Sequence, residues 1–318
     1  MIEGYSNIKL RRLSFFALLS LVLFICACQR QQSRTTQAAK VDENAYRQEI
    51  DKWHNERASQ LRSEDGWLTL VGLFWLKEGE NRIGSDPSNQ IVLPQGKAPA
   101  HAGSLWVEGG AVRLEAEPQS GITSDGKPVT TLALVSDAEG KPTVLQLGTL
   151  SFHVIKRKDQ LGLRVKDKDN PARTQFAGLD YYPVSLNWRI DARFEPYNPP
   201  KKIPIVNVLG MVEEQPSPGR IVFDAAGKTY SLDAISEEGS QELFVIFKDE
   251  TSGKETYGAG RYLYTDPANA SGTVLLDFNK AYNPPCAFTT YATCPLPPSQ
   301  NRLALRVEAG EKQYAKPH

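Results

Sequence analysis

Residues 277–301 carry the densest set of groups able to do chemistry. Asp277, Asn279 and Asn283 fall close together, and Asp249, Tyr257 and Arg261 stand a short way upstream. An arginine with a carboxylate and side-chain amides can hold a carboxylate or a sugar. It can also serve acid–base chemistry if burial shifts a pKa. Arg261 and Asp277 can equally form a buried ion pair that only fixes the loop. Histidine limits the options: the chain has 4, at positions 54, 101, 153 and 318. A Ser/His/Asp or Cys/His arrangement in the second half would have to borrow its histidine from the first. Cys286 and Cys294 are eight residues apart, without CxxC spacing and without a histidine nearby. They make a poor zinc set, so no metal is expected. No glycine-rich phosphate loop or dinucleotide fingerprint occurs, so no cofactor is expected either.

The segment holding these residues is unusual. Five prolines (284, 285, 295, 297 and 298) restrict it, and Phe278, Tyr282, Phe288 and Tyr291 need burial. Long loops in compact domains are functional or disordered, and the low charge and aromatic content argue against disorder. The elements that must position it are mostly β. Short β-prone runs recur from Gly66 to about Arg157, separated by turns such as Asp86-Pro87, Gly109-Gly110 and Ser124-Asp125-Gly126. Runs at this spacing predict a sandwich or barrel. Further strands are predicted over 188–194, 203–211, 220–225, 229–234, 242–248, 260–265, 273–278 and 302–308, which make a second sandwich or barrel-like unit. One amphipathic helix precedes them over 41–62, where Tyr46, Ile50, Trp53 and Arg57 recur at helical spacing behind a capping Asp42. His54 lies within it and reads as a surface polar residue.

The first 30 residues have a different character. Lys9, Arg11 and Arg12 precede a nearly unbroken apolar run from Leu13 to Ala27. The run is shorter than the ~20 residues of a membrane span and suits the core of a secretion signal. It ends Ile25-Cys26-Ala27-Cys28, which resembles a bacterial lipobox. That resemblance implies a signal peptide over 1–27, cleavage before Cys28 and lipidation of Cys28, palmitate included. Residues 28–40 read as a polar tether. Gln29 after the cysteine implies the outer membrane, facing the periplasm, in a cell with two membranes. In such an oxidising envelope Cys286 and Cys294 become candidates for a disulfide.

Formal charge is balanced at 37 basic and 37 acidic residues, and the mature part has no basic run. Nucleic-acid binding therefore has no electrostatic support.

Two resemblances add to this reading. Residues 78–158 resemble a forkhead-associated (FHA) sandwich through Ile83-Gly84-Ser85-Asp86-Pro87, His101-Ala102, Ser124-Asp125-Gly126 and Leu145-Gln146-Leu147-Gly148. The resemblance implies a FHA-like sandwich over about 63–160 and a second β unit over 161–318. In that family an arginine and a serine hold a phosphothreonine, whereas Ser85 and Ala98 stand at those places here. Ala98 offers no side-chain donor, so a phosphothreonine peptide is not the expected partner. The mature chain as a whole resembles a family of unknown function, DUF1684, through Gly66-Trp67-Leu68, Asp249-Glu250-Thr251, Tyr257-Gly258-Ala259-Gly260-Arg261, residues 277–288 and Ala309-Gly310-Glu311. It implies no chemistry.

The expected function is therefore a lipid-anchored cell-envelope protein. It is a binding or structural β module whose 277–301 loop shapes a surface for a small polar ligand or an envelope protein. The alternative is a hydrolase-like enzyme using Asp277 and Arg261 with Asn279, Asn283 and Tyr257. That alternative requires Arg261 and Asp277 to converge in a pocket.

Overall fold

Alternation of apolar and polar residues builds most of this molecule, a computed structural model that describes residues 41–314. Its elements lie in one compact unit, Glu43–His318. The helix α1 (Glu43–Arg62) turns Tyr46, Ile50 and Leu61 inward. Steps of four and eleven residues put all three on one helical face, and Glu43 and Arg62 suit the two ends of its dipole.

Eleven strands follow: β1 (Leu70–Trp75), β2 (Gly79–Gly84), β3 (Ile91–Val92), β4 (Gly103–Glu108), β5 (Ala111–Ala116), β6 (Thr123–Ser124), β7 (Lys127–Pro128), β8 (Thr131–Leu134), β9 (Leu145–Leu147), β10 (Leu150–Arg157) and β11 (Gln160–Asp167). They form two sheets, ordered β1-β11-β10-β9-β6-β7 and β3-β2-β4-β5-β8. Ile83, Leu105, Leu114, Phe152 and Leu163 are buried in one core of this sandwich. Each such side chain contributes roughly 1.5–3 kcal/mol by leaving water. The sandwich runs past residue 160, because β11 pairs with both β10 and β1. The boundary expected at 160 therefore moves to Asp167, where the pairing with β10 ends.

A four-residue helix α2 (Pro171–Thr174) leads to the second β unit, a single sheet hereafter termed the second sheet. Its strands are β12 (Arg189–Val206), β13 (Val212–Ala225), β14 (Lys228–Ser236), β15 (Leu243–Phe247), β16 (Arg261–Thr265) and β17 (Thr273–Asp277), ordered β16-β15-β14-β13-β12-β17. The runs expected at 188–194 and 203–211 are one strand of 18 residues. Its ladder with β13 is interrupted between Pro196 and Lys201, where Pro199 and Pro200 have no N–H to donate. The strand expected over 302–308 does not form. The amide of Val307 donates to the Asp249 carboxylate at 2.8 Å and its carbonyl accepts from Arg261 at 2.9 Å, so both backbone groups serve side chains instead of a ladder. Among the described residues, no helix is long and apolar enough to cross a membrane.

Candidate functional site

Arg261 opens β16 and is fully buried. Its Nη2 pairs with Asp249 at 3.3 Å and donates to the Val307 carbonyl, while Nη1 donates to the carbonyl of Ala309. Asp249 also accepts from the Thr251 amide and hydroxyl. The cluster pins the C-terminal segment against β15 and β16. Asp277 belongs to a different network. The Tyr46 hydroxyl reaches both its oxygens at 2.8 Å, and the amide and side chain of Asn279 donate to it at 3.0 Å. Asn279 also donates to the Ser185 carbonyl and accepts from its amide. Burial, and next the Asp277 charge, drive the Tyr46 pKa far above its usual value. Tyr46 is thus a neutral donor that locks α1 onto the end of β17.

These two networks correct the sequence expectation. Arg261 and Asp277 form no ion pair with each other and share no pocket. Asp277 borders a cleft of about 460 Å³ with Lys280 and Glu242, whereas Arg261 is fully buried and enclosed by Asp249 and the carbonyls of Val307 and Ala309. The hydrolase-like arrangement needed them together, and each is already committed elsewhere.

The remaining expected residues also hold structure. The Tyr257 hydroxyl donates to the Cys286 carbonyl at 3.1 Å. The Asn283 amide donates to buried Glu311 at 2.8 Å, and its side chain donates to the Lys312 carbonyl. His54 is partly buried and stacked on Tyr181 at 3.5 Å, so it is not a simple surface residue. Cys286 and Cys294 are free thiols that lie together, the Cys286 amide donating to the Cys294 sulfur at 3.1 Å. Their mutual hydrogen bond lowers the Cys286 pKa and raises that of Cys294. At the FHA-like edge, Ser85 donates to the Ala98 carbonyl at 2.9 Å, and His101 shares a hydrogen bond with Asn89.

The concave site lies elsewhere, in a cleft of about 500 Å³. One wall comes from the sandwich: Arg157 ends β10, Arg164 sits in β11, and Trp67 stands just before β1. The facing wall comes from the second sheet, with Ile205, Phe244, Ile246, Tyr262 and Tyr264. Residues 285–295 form a strap along the cleft, held to the β12–β13 hairpin because Val208 donates to the Cys294 carbonyl and Leu296 to that of Val206. The aromatic loop singled out in the sequence thus lines a cleft, through Tyr282, Pro285, Ala292, Thr293, Cys294 and Pro295, while Asn279 and Asn283 are tied to backbone carbonyls.

Three arginines border the cleft, in unlike states. Arg57 pairs with Glu311 at 3.0 Å, donates to the Asn283 carbonyl and lies over the Tyr282 ring. Arg157 pairs with Asp137 at 2.9 Å and donates to Thr293. Arg164 is only 6% exposed, yet among the described residues it has no carboxylate partner and its Nε donates to nothing. Its guanidinium rests over the Trp67 ring at 5.3 Å. Burial, then the charge of Arg157, pull its pKa down to about 10, so it stays cationic at neutral pH. Its cross-strand neighbour His153 is held neutral, its pKa pushed down to about 4 by burial and then by Arg164. A desolvated cation without an anion is costly, and this one faces an open cleft. Chemically, the site can accept an anionic group at Arg164 and pack an apolar or aromatic body against its walls.

Arg164 was illegible as a site residue. It stands in the alternating run Leu161-Gly162-Leu163-Arg164-Val165, which reads as a strand with one solvent face. The Trp67 ring and the apposed second sheet together cover that face.

A mostly β protein of two packed β units, with a cation-bearing cleft between sandwich and second sheet, is the class this fold and site define. Residues 174–312 match the family model described as "Protein of unknown function (DUF1684)". The match covers the second unit and its approach, not the whole mature chain. Among solved structures, the chain is similar to an uncharacterized protein of Haloarcula marismortui, at 32% identity over 44% of this chain and 78% of that one, with a TM-score of 0.38. It is also similar to a structure from an analysis of phosphothreonine-dependent FHA domain interactions, at 22% identity, 31% and 96% coverage, and a TM-score of 0.22. A third is the FhaA FHA domain in complex with an intracellular domain, at 20% identity, 29% and 96% coverage, and a TM-score of 0.21. No curated protein matches.

Proposed function

We propose that the chain is a lipid-anchored cell-envelope protein whose cleft binds a small organic anion carrying an apolar or aromatic body. The observation that carries the binding reading is Arg164: buried, cationic, facing the cleft and without an anionic partner among the described residues. A bound carboxylate or phosphate would supply the missing charge-assisted hydrogen bonds, which contribute about 1.5–3 kcal/mol each. The anchor rests on the leader and on Cys28, which lie outside the described residues. Mass spectrometry of the mature N terminus tests it: a diacylglyceryl-modified Cys28 is expected, and an unmodified Cys28 refutes it.

Thermal unfolding in the presence of organic anions and matched cations tests the cleft. A ligand present at a hundred times its Kd stabilises the folded chain by ~2.7 kcal/mol. Carboxylates or phosphates with an apolar body should raise the midpoint of the wild-type chain and leave that of Arg164→Gln unchanged. Equal shifts in both proteins would sink the reading.

Export bears on the thiols as well. In an oxidising envelope a disulfide-bearing oxidant would take two electrons from Cys286 and Cys294, join their sulfurs and leave as a dithiol. The bond would staple the strap that edges the cleft. Peptide mapping of exported protein should show these cysteines cross-linked and closed to alkylation; two alkylated thiols in the folded, exported chain would exclude the bond.

A further inference from the structure

Charges of both signs border the cleft and do not neutralise one another. Arg57 and Arg157 are paired with Glu311 and Asp137, which leaves Arg164, only 6% exposed, as the cation without a counter-ion among the described residues. The second-sheet side carries Glu213, Gln215 and Glu237. Glu213 stands directly across the β12–β13 ladder from Ile205, and both line the cleft. Alternation along β13 therefore turns Glu213 and Gln215 toward the cleft and leaves Val212 and Glu214 exposed on the other face. Glu237 accepts from the Tyr264 hydroxyl at 2.8 Å, which holds its carboxylate beside a cleft-lining ring. Neither glutamate makes an ion pair among the described residues. One wall thus offers an unpaired cation, and the facing wall offers unpaired carboxylates set among Ile205, Phe244 and Ile246.

We infer that the ligand of the cleft is dipolar: a carboxylate and a basic nitrogen joined by an apolar spacer, with the acid on Arg164 and the nitrogen at Glu213 and Glu237. The inference rests on the anion-binding reading above and narrows it. A plain anion would complete Arg164 but would bring its negative charge into a cleft that already holds two unpaired carboxylates. A basic nitrogen at the far end answers both and gains a cation–π contact if it lies against the Tyr264 ring. Glu213 is half-buried and Glu237 exposed, so the basic end is the weaker of the two attachments. A cleft of about 500 Å³ is large enough for an extended amino acid or a molecule the size of a dipeptide.

Titration calorimetry on the full chain tests the inference with 4-aminobutanoate, 6-aminohexanoate and 8-aminooctanoate, each against the plain acid of equal length. At the length that spans the two walls, the amino acid should bind about tenfold tighter than its plain counterpart, although an ammonium resists burial where a methyl group favours it. Glu213→Gln combined with Glu237→Gln should bring it down to the level of the plain acid, and each substitution alone should remove part of the gain. Glutamine keeps an acceptor for the Tyr264 hydroxyl, and an unchanged unfolding midpoint verifies that the variants fold. Amino acids binding no tighter than the plain acids at every length, or a gain that survives both substitutions, would overturn the dipolar ligand and keep the anion site. Failure of every acid to bind would remove the anion site itself, and this inference with it.

Discussion

Two buried arginines sit in strands of this molecule and differ in everything but burial. Arg261, in the second sheet, has Asp249 as counter-ion and backbone carbonyls of the C-terminal segment around it. Arg164, in the sandwich, has an aromatic ring beneath it, a neutral histidine across the strand pair and an open cleft before it. Both leave Nε without a partner, so the difference lies in the charge. One network is closed and holds the fold; the other opens onto the cleft. The sequence drew attention to the closed one, because an arginine near carboxylates and asparagines resembles a reactive set. Proximity to acceptors makes an arginine structural here, and the isolated one is the candidate for binding.

The largest expected effect breaks the closed network. Arg261→Met should destabilise the protein by about 3–5 kcal/mol, because it leaves Asp249 buried without its cation. Denaturant unfolding measures this, and a loss below 1 kcal/mol would show that the network is dispensable. Asp277→Ala comes next, at roughly 2–4 kcal/mol, since it orphans the buried Tyr46 hydroxyl and the Asn279 donors. Hydrogen exchange should then show α1 opening first. No change in protection of α1 would contradict its being locked through Tyr46.

The pH dependence sharpens the other side. His153 has a folded pKa of about 4 against an ordinary value near 6.5. Between those values the unfolded chain binds the proton and the folded chain does not. Stability is therefore fully present above about pH 6.5 and falls as pH drops toward 4, by an amount on the order of 2 kcal/mol. Burial is the main cause and Arg164 the next, so Arg164→Met should shrink the acid-side loss in part. An unchanged slope would mean that the two side chains do not interact. The smallest effect is the most telling. Arg164→Met should change stability at neutral pH by no more than about 1 kcal/mol, with stabilisation the favoured direction, because it removes an unpartnered buried charge. Residues that serve binding and not folding behave in this way.

The fold was largely legible. Alternating runs and turns gave the sandwich, and Tyr46 and Ile50 gave the face of α1. Less legible were features that depend on the other partner of a pair. Residues 302–308 look like a strand, but Asp249 and Arg261 take the backbone groups of Val307. The end of the sandwich was misplaced because β11 continues its pairing to Asp167. The aromatic loop edges the cleft through residues such as Tyr282 and Thr293, while Asn279 and Asn283 tie it down. Arg164 was hidden because its cover comes from Trp67 and from a sheet far along the chain, which no local pattern encodes.

The central claim is that the Arg164 guanidinium awaits an anion. The measurement that addresses it most directly is the Nε–H resonance of Arg164, assigned by its loss in Arg164→Met and followed during titration with decanoate. The account predicts a saturable downfield shift, with the Arg261 Nε–H unmoved. An Arg164 signal that stays in place up to millimolar ligand would contradict it.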